Sequence, residues 1–207
     1  LSEKGYARAN GMLFWAYYFG YEDYPGDPQK ALKYAKKGSD AADPICGLLY
    51  AAYSDISQDE KFELLRKVRA QVNKMANAND SLATLVLGAC CFQLRQYDKA
   101  QEVLSSYEKA GGVLAYEMLG LMQQYVEKQE KTALTYYKTA VINKIYHAYV
   151  LMGTLYSAAY YDRDIAANLG TKSYLCFNKA RDCYRKASNY NQSEGSYEMA
   201  QTSILGS

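Results

Sequence analysis

The sequence predicts an all-α fold, a right-handed α-solenoid of about five helix pairs plus a terminal helix, on three observations. First, a pair of small residues five positions apart recurs as Ala42 and Gly47, Ala83 and Gly88, Ala115 and Gly120, and Ala148 and Gly153. A looser copy is Gly195 and Ala200, and another centres on Gly11, where Tyr6 replaces the alanine. Second, Gly88, Gly120 and Gly153 are 32 and 33 residues apart, the period of a helix pair. Third, the only prolines are Pro25, Pro28 and Pro44, so helices run without a breaker from Asp43 onward.

Each glycine-bearing helix is followed by a second one with small residues along one face. These are Ala31 with Tyr34, Ala100, Ala133 with Tyr136, Tyr137 and Ala140, and Ala180 with Cys183 and Ala187. Spacings of three, four and seven align them on a single stripe, as an amphipathic helix requires. The predicted units are 5–41, 42–79, 80–111, 112–144 and 145–191, followed by a terminal helix over 192–207, all in one repeat domain spanning 1–207.

The boundaries carry turn chemistry. Asp27 caps a helix that starts with Pro28, "ANAND" over 76–80 ends the second unit, and Gly111 with Gly112 ends the third. The second unit departs most, with Phe62 of "EKFELLRKVRAQV" at the alanine position. Gly153 to Ala180 is 27 residues where Gly120 to Ala133 is 13, so the fifth unit carries about fourteen extra residues around 161–172. They form either a loop on the binding face or an extension of the two helices.

A helical glycine costs about 1 kcal/mol relative to alanine. Gly120 is expected to recover this by facing an alanine on the paired helix, letting the two backbones approach closely.

Composition narrows function without naming it. Lys and Arg number 24 against 22 Asp and Glu, a net charge of +2 that points to neither nucleic acid nor an anionic membrane. No apolar run is long enough to span a bilayer. Five cysteines without a CxxC motif are expected to be buried free thiols. His147, the single histidine, is expected to pack or sit at the surface, and one histidine with scattered thiols assembles no zinc site. No glycine-rich phosphate loop of the GxGxxG or GxxxxGK type is present, so no cofactor is expected.

The acidic pairs Glu22 and Asp23, Asp59 and Glu60, and Asp162 and Asp164 fall at loops or helix starts, where capping explains them. The basic runs at Arg66, Lys67 and Arg69, and at Lys179, Arg181, Arg185 and Lys186, lie on second helices, expected on a solvated convex face. Tyrosine, 23 copies against 5 Phe and 1 Trp, suits half-buried positions and binding grooves.

First helices of a solenoid line its concave side. Counting from each glycine, three or four before and one or four after, the candidate groove residues are Arg8, Met12, Trp15, Leu85, Phe92, Tyr116, Glu117, Gln124, Tyr149 and Ser157. Aromatics and arginine are the types enriched at binding hot spots. Trp15 is the foremost candidate, with packing of the N-terminal core as its alternative.

The stretch "YARANGMLFWAYYFGYEDYPGDPQKALKYAKKGSDAAD", residues 6–43, resembles a Sel-one-like repeat, with Tyr17, Tyr18, Gly20, Asp27, Lys30, Ala31 and Tyr34 at its pattern positions. The third and fourth units lose the glycine loop and are closer to the related tetratricopeptide pattern. The resemblance implies a non-enzymatic adaptor of bacterial envelope, secretion, signalling or host-interaction processes, binding a protein or peptide partner in its concave face. Carbohydrate binding at the cell envelope by tyrosine and tryptophan faces, and a structural assembly role, are the alternatives. The chain begins at Leu1, and the compartment, envelope, periplasm or cytoplasm, stays open.

Overall fold

A computed structural model describes residues 6–21 and 24–190. The predicted terminal helix over 192–207 and the pair Glu22 and Asp23 lie outside the described residues. Within them the chain is all-α, with one isolated antiparallel bridge between Tyr21 and Ile145. The helices are α1 (Ala7–Phe19), α2 (Pro28–Asp40), α3 (Pro44–Tyr53), α4 (Gln58–Asn77), α5 (Ser81–Gln93) and α6 (Tyr97–Lys109). After a 3-10 turn at Val113–Ala115 come α7 (Tyr116–Tyr125), α8 (Glu130–Ile142), α9 (Ala148–Tyr161), α10 (Arg163–Asn168) and α11 (Ser173–Asn189).

The described residues form two compact units, one of 6–18 and 28–118, the other of 19–21, 24–27 and 119–190. In the first, α2 packs on α3, α3 on α4, α4 on α5 and α5 on α6, while α3 also packs on α5. Packing between neighbours and next neighbours is the signature of stacked helix hairpins. In the second unit α8 packs on α9 and α9 on α11, with α10 against all three.

Side-chain caps start the helices. Asp43 accepts from the Cys46 N–H at 2.8 Å, Asp80 from Ala83 at 3.0 Å, and Ser57 from Glu60 at 3.3 Å. Asp162 accepts from Asp164 and Ile165, so the carboxylates at 162 and 164 sit at the start of α10 as capping predicts. Left-handed residues end several helices, among them Asn79 after α4 and Gly111 after α6, where "ANAND" and "GG" place the stops. Around Asn79 the N–H groups of Asn79 and Asp80 return to Ala76 and Met75 carbonyls, satisfying the last turn.

First and second helices differ in burial for a physical reason. α5 lies between neighbours and buries residues all round, whereas α4 buries Val72 and turns its charged face outward. The five cysteines are buried free thiols.

The glycines sit at helix contacts, but the predicted reason for Gly120 needs correction. What fills the notch is a bulky side chain from the second helix and not an approaching alanine. A Cβ on Gly120 would lie 2.4 Å from the Tyr137 ring, on Gly153 2.3 Å from the Tyr184 ring, and on Gly88 2.6 Å from Leu104. The filling residue stands four after Ala133, Ala180 and Ala100 respectively. Gly47 faces Val68, which makes Leu64 and not Phe62 the counterpart of those alanines.

The fourteen extra residues of the fifth unit become α10 with its flanking turns, a short added helix rather than a bare loop or a plain lengthening. Asn168 of α10 donates to the buried Glu130 carboxylate at the start of α8, 3.1 Å away, and this ties the insertion down.

Candidate interaction surface

The ten candidate groove residues divide by burial, and they lie in both units. In the first unit Arg8 and Met12 are exposed on α1, Met12 at 63%. Arg8 forms an ion pair with Asp80, the N-cap of α5. Phe92 is half-buried, its ring 6.0 Å from that of Tyr97, and Tyr116 is half-buried at the start of α7. Leu85 and Glu117 are buried.

Trp15 is only 1% exposed, which places it in its alternative, the N-terminal core. Its ring meets Phe14 edge-on at 4.9 Å and Tyr18 and Tyr53 edge-on at 5.9 Å. Phe14 stacks on Tyr18 at 5.4 Å, and Tyr18 meets Tyr53 at 5.0 Å. Desolvation among these rings pushes the Tyr53 phenol well above its ordinary pKa. The cluster around Trp15 is the hydrophobic contact that seats α1.

In the second unit the position four after each glycine serves the pair and not a groove. Tyr137 donates its hydroxyl to Gln124 Oε1 at 2.7 Å, and Ser157 Oγ shares a hydrogen bond with the Tyr184 hydroxyl at 3.2 Å. Gly120, Tyr137 and Gln124 thus repeat as Gly153, Tyr184 and Ser157: a notch, the ring that fills it, and a polar anchor one turn along. Gln124 is buried and Ser157 half-buried in consequence. Helical counting four after a glycine cannot separate groove from anchor without knowing which way the partner ring leans.

Tyr149 is half-buried, nearly parallel to Tyr190 at 6.0 Å, and Tyr190 stacks on Tyr146 at 3.8 Å. The Lys186 ammonium stands over the Tyr149 ring at 5.7 Å. Desolvation foremost, then the neighbouring Tyr190, raises the Tyr149 phenol pKa. These parallel rings cover one another and are flanked by a cation, unlike the open platform flanked by carboxylates and amides that sugar stacking would favour. His147 precedes α9, and its N–H donates to the Phe19 carbonyl at 3.3 Å.

Burial shows exposed apolar side chains the sequence reading did not select. Phe62 projects from α4, and Tyr160 and Tyr161 end α9 beside Phe177, 5.5 Å from Tyr160. The signal for both was present: Phe62 broke the alanine stripe, and Tyr161 opens the insertion.

Among the described residues no group of three His, Cys, Asp or Glu side chains is placed to hold a metal, and no helix is long and apolar enough to cross a membrane. Burial pushes Cys90 up to about 12 and Cys183 to about 11, a direction that disfavours the reactive thiolate.

No protein-family model and no curated protein matches the chain. Two solved structures similar to it are described as a Sel1 repeat protein and as displaying an SLR fold. A Sel1 repeat protein from Oxalobacter formigenes is 20% identical, with a TM-score of 0.44 over 93% of this chain and 76% of that one. A protective antigen present in uropathogenic Escherichia coli strains, displaying an SLR fold, is 18% identical, with a TM-score of 0.37 over 97% of this chain and 49% of that one.

Proposed function

We propose that this chain is a non-enzymatic scaffold that binds a peptide or protein partner through solvent-facing side chains of its helices. One observation carries the reading. α1 presents Met12 to water, one turn from the Arg8 guanidinium, while Gly11, Phe14 and Trp15 beside it are buried. A large apolar side chain held outward on an anchored helix, next to a cation, has the mixed character of a contact surface. Phe92 and Tyr116, half-buried in the same unit, supply further aromatic area at low entropic cost. Of the ten candidates, the binding set narrows to Arg8, Met12, Phe92 and Tyr116, with Tyr149 as a separate contact on the second unit. Because the helices are prepacked, binding orders the partner more than the scaffold.

The test is selection of peptides from a display library, followed by affinity measurement of synthetic versions by calorimetry. Met12→Asp with Phe92→Ala is expected to weaken at least one class of the selected peptides about tenfold or more while the helical circular dichroism stays unchanged. A selection in which no peptide is weakened by the variant would remove this surface from the reading.

A further inference from the structure

The corrected alignment of α4 leaves Phe62 outside the packing pattern, two residues ahead of Leu64, where it is 66% exposed. It begins a stripe. Phe62, Leu65, Arg66, Arg69, Ala70 and Asn73 line one shallow concavity, and their steps of three, one, three, one and three keep them on a single helical face. Two of the six are arginines and none is acidic.

The charge of that stripe is available to a partner. Arg66 meets Glu63 at 3.2 Å with both side chains more than half exposed, a class of pair that contributes little and yields readily to competition. Arg69 donates to Gln96 Oε1 at 3.0 Å, a neutral acceptor that orients the guanidinium without cancelling its charge.

We infer that the outer face of α4 is a docking site for an acidic segment of a protein partner that carries apolar side chains among its carboxylates. This rests on the scaffold reading above and adds the place and the chemistry. Phe62 and Leu65 offer the apolar anchor, and Arg66 and Arg69 offer the fork geometry that carboxylates accept. A near-neutral chain with two arginines on the stripe provides few phosphate contacts for a nucleic acid, whereas an apolar anchor beside cations matches an acidic amphipathic segment.

The experiment uses the full chain as bait in a randomised peptide display, in three forms: wild type, Phe62→Ala with Arg69→Glu, and Met12→Asp with Phe92→Ala. Wild type and the Met12 variant are expected to enrich peptides with two or more carboxylates next to Leu or Phe. The α4 variant should lose them. A synthetic copy should bind the α4 variant about tenfold more weakly, and should weaken for wild type as salt rises from about 0.1 to about 0.5 M. Equal binding by a charge-reversed peptide, or the same enrichment on the α4 variant, overturns the site. Should every enriched peptide be kept by the α4 variant and lost by the Met12 variant, the α4 site sinks and the scaffold reading stands, while no enrichment on any bait counts against both. Concentration-dependent dimerisation abolished by Phe62→Ala with Arg69→Glu assigns the face to a second copy and overturns the proposal, as does loss of single-stranded oligonucleotide binding by that variant.

Discussion

The ring of Tyr137 occupies the space that a Cβ on Gly120 would need, with Cε1 2.4 Å from that position. The ring cannot swing clear, because Tyr137 is fully buried and its hydroxyl is held by Gln124. Helix propensity alone makes Gly120→Ala stabilising by about 1 kcal/mol. Overpacking costs about 1 to 3 kcal/mol and sets the sign. Urea denaturation should therefore show Gly120→Ala less stable than wild type, and should show the loss shrink in a Tyr137→Leu background, the coupling appearing in a double-mutant cycle. A more stable Gly120→Ala protein would mean the notch is not filled.

Trp15→Ala is expected to cost about 3 to 5 kcal/mol, the usual loss for a large buried aromatic. It removes the edge contacts to Phe14, Tyr18 and Tyr53 together. Met12→Ala, one turn away but exposed, should stay within about 0.5 kcal/mol of wild type. Calorimetric melting of the two variants side by side checks the difference, and equal melting temperatures would contradict the burial of Trp15.

The repeat was legible because its cause is local. A small residue at a fixed interval is a steric requirement written into the sequence, so Gly88, Gly120 and Gly153 announce the helix pairs, and "ANAND" and Gly111 announce where helices stop. What fills each notch was not legible. Tyr137 and Ala133 lie on one stripe, and only the lean of the side chain decides which of them meets the glycine. The candidate site suffered from the same ambiguity: Gln124 and Ser157 share a helical position with Phe92, yet turn to a tyrosine hydroxyl on the paired helix. Phe62 was visible as an irregularity, but its exposure follows from Leu64 and Val68 taking the packing stripe, which turns Phe62 about 200° away, and only the Gly47 contact shows that.

Asp80 both caps α5 and meets Arg8, so Asp80→Ala should cost about 1 to 2 kcal/mol near neutral pH. Partial burial works against its ionisation, but the Arg8 guanidinium and the Ala83 N–H outweigh that and hold its carboxyl below the usual value of 3.8. A lowered folded pKa contributes stability that is present above the unfolded value and disappears as pH falls through the folded one. The gap between wild type and Asp80→Ala in urea midpoint should thus narrow below about pH 4. A gap that stays constant to about pH 2 would show that the charge of Asp80 contributes nothing beyond the geometry of its cap.

Cys90 and Cys183 titrate in the opposite sense. Burial, the largest cause in both, raises them from 9.0 to about 12 and about 11, with the nearby cations Arg69 and Lys186 acting against it. For a raised acid the stabilising contribution is whole below the unfolded value and drains away as pH rises toward the folded one, because only the unfolded chain can release the proton. Each thiol should steepen the alkaline loss of stability by up to about 1.4 kcal/mol per pH unit between those limits. Cys90→Ala therefore flattens the fall in urea midpoint from about pH 9 upward relative to wild type. The same burial means that a thiol reagent at pH 8 labels the native chain slowly and labels five thiols at once when urea is added. Rapid native labelling at Cys90 would show that α5 opens to solvent and that its packing between α4 and α6 is looser than the burial of its side chains implies.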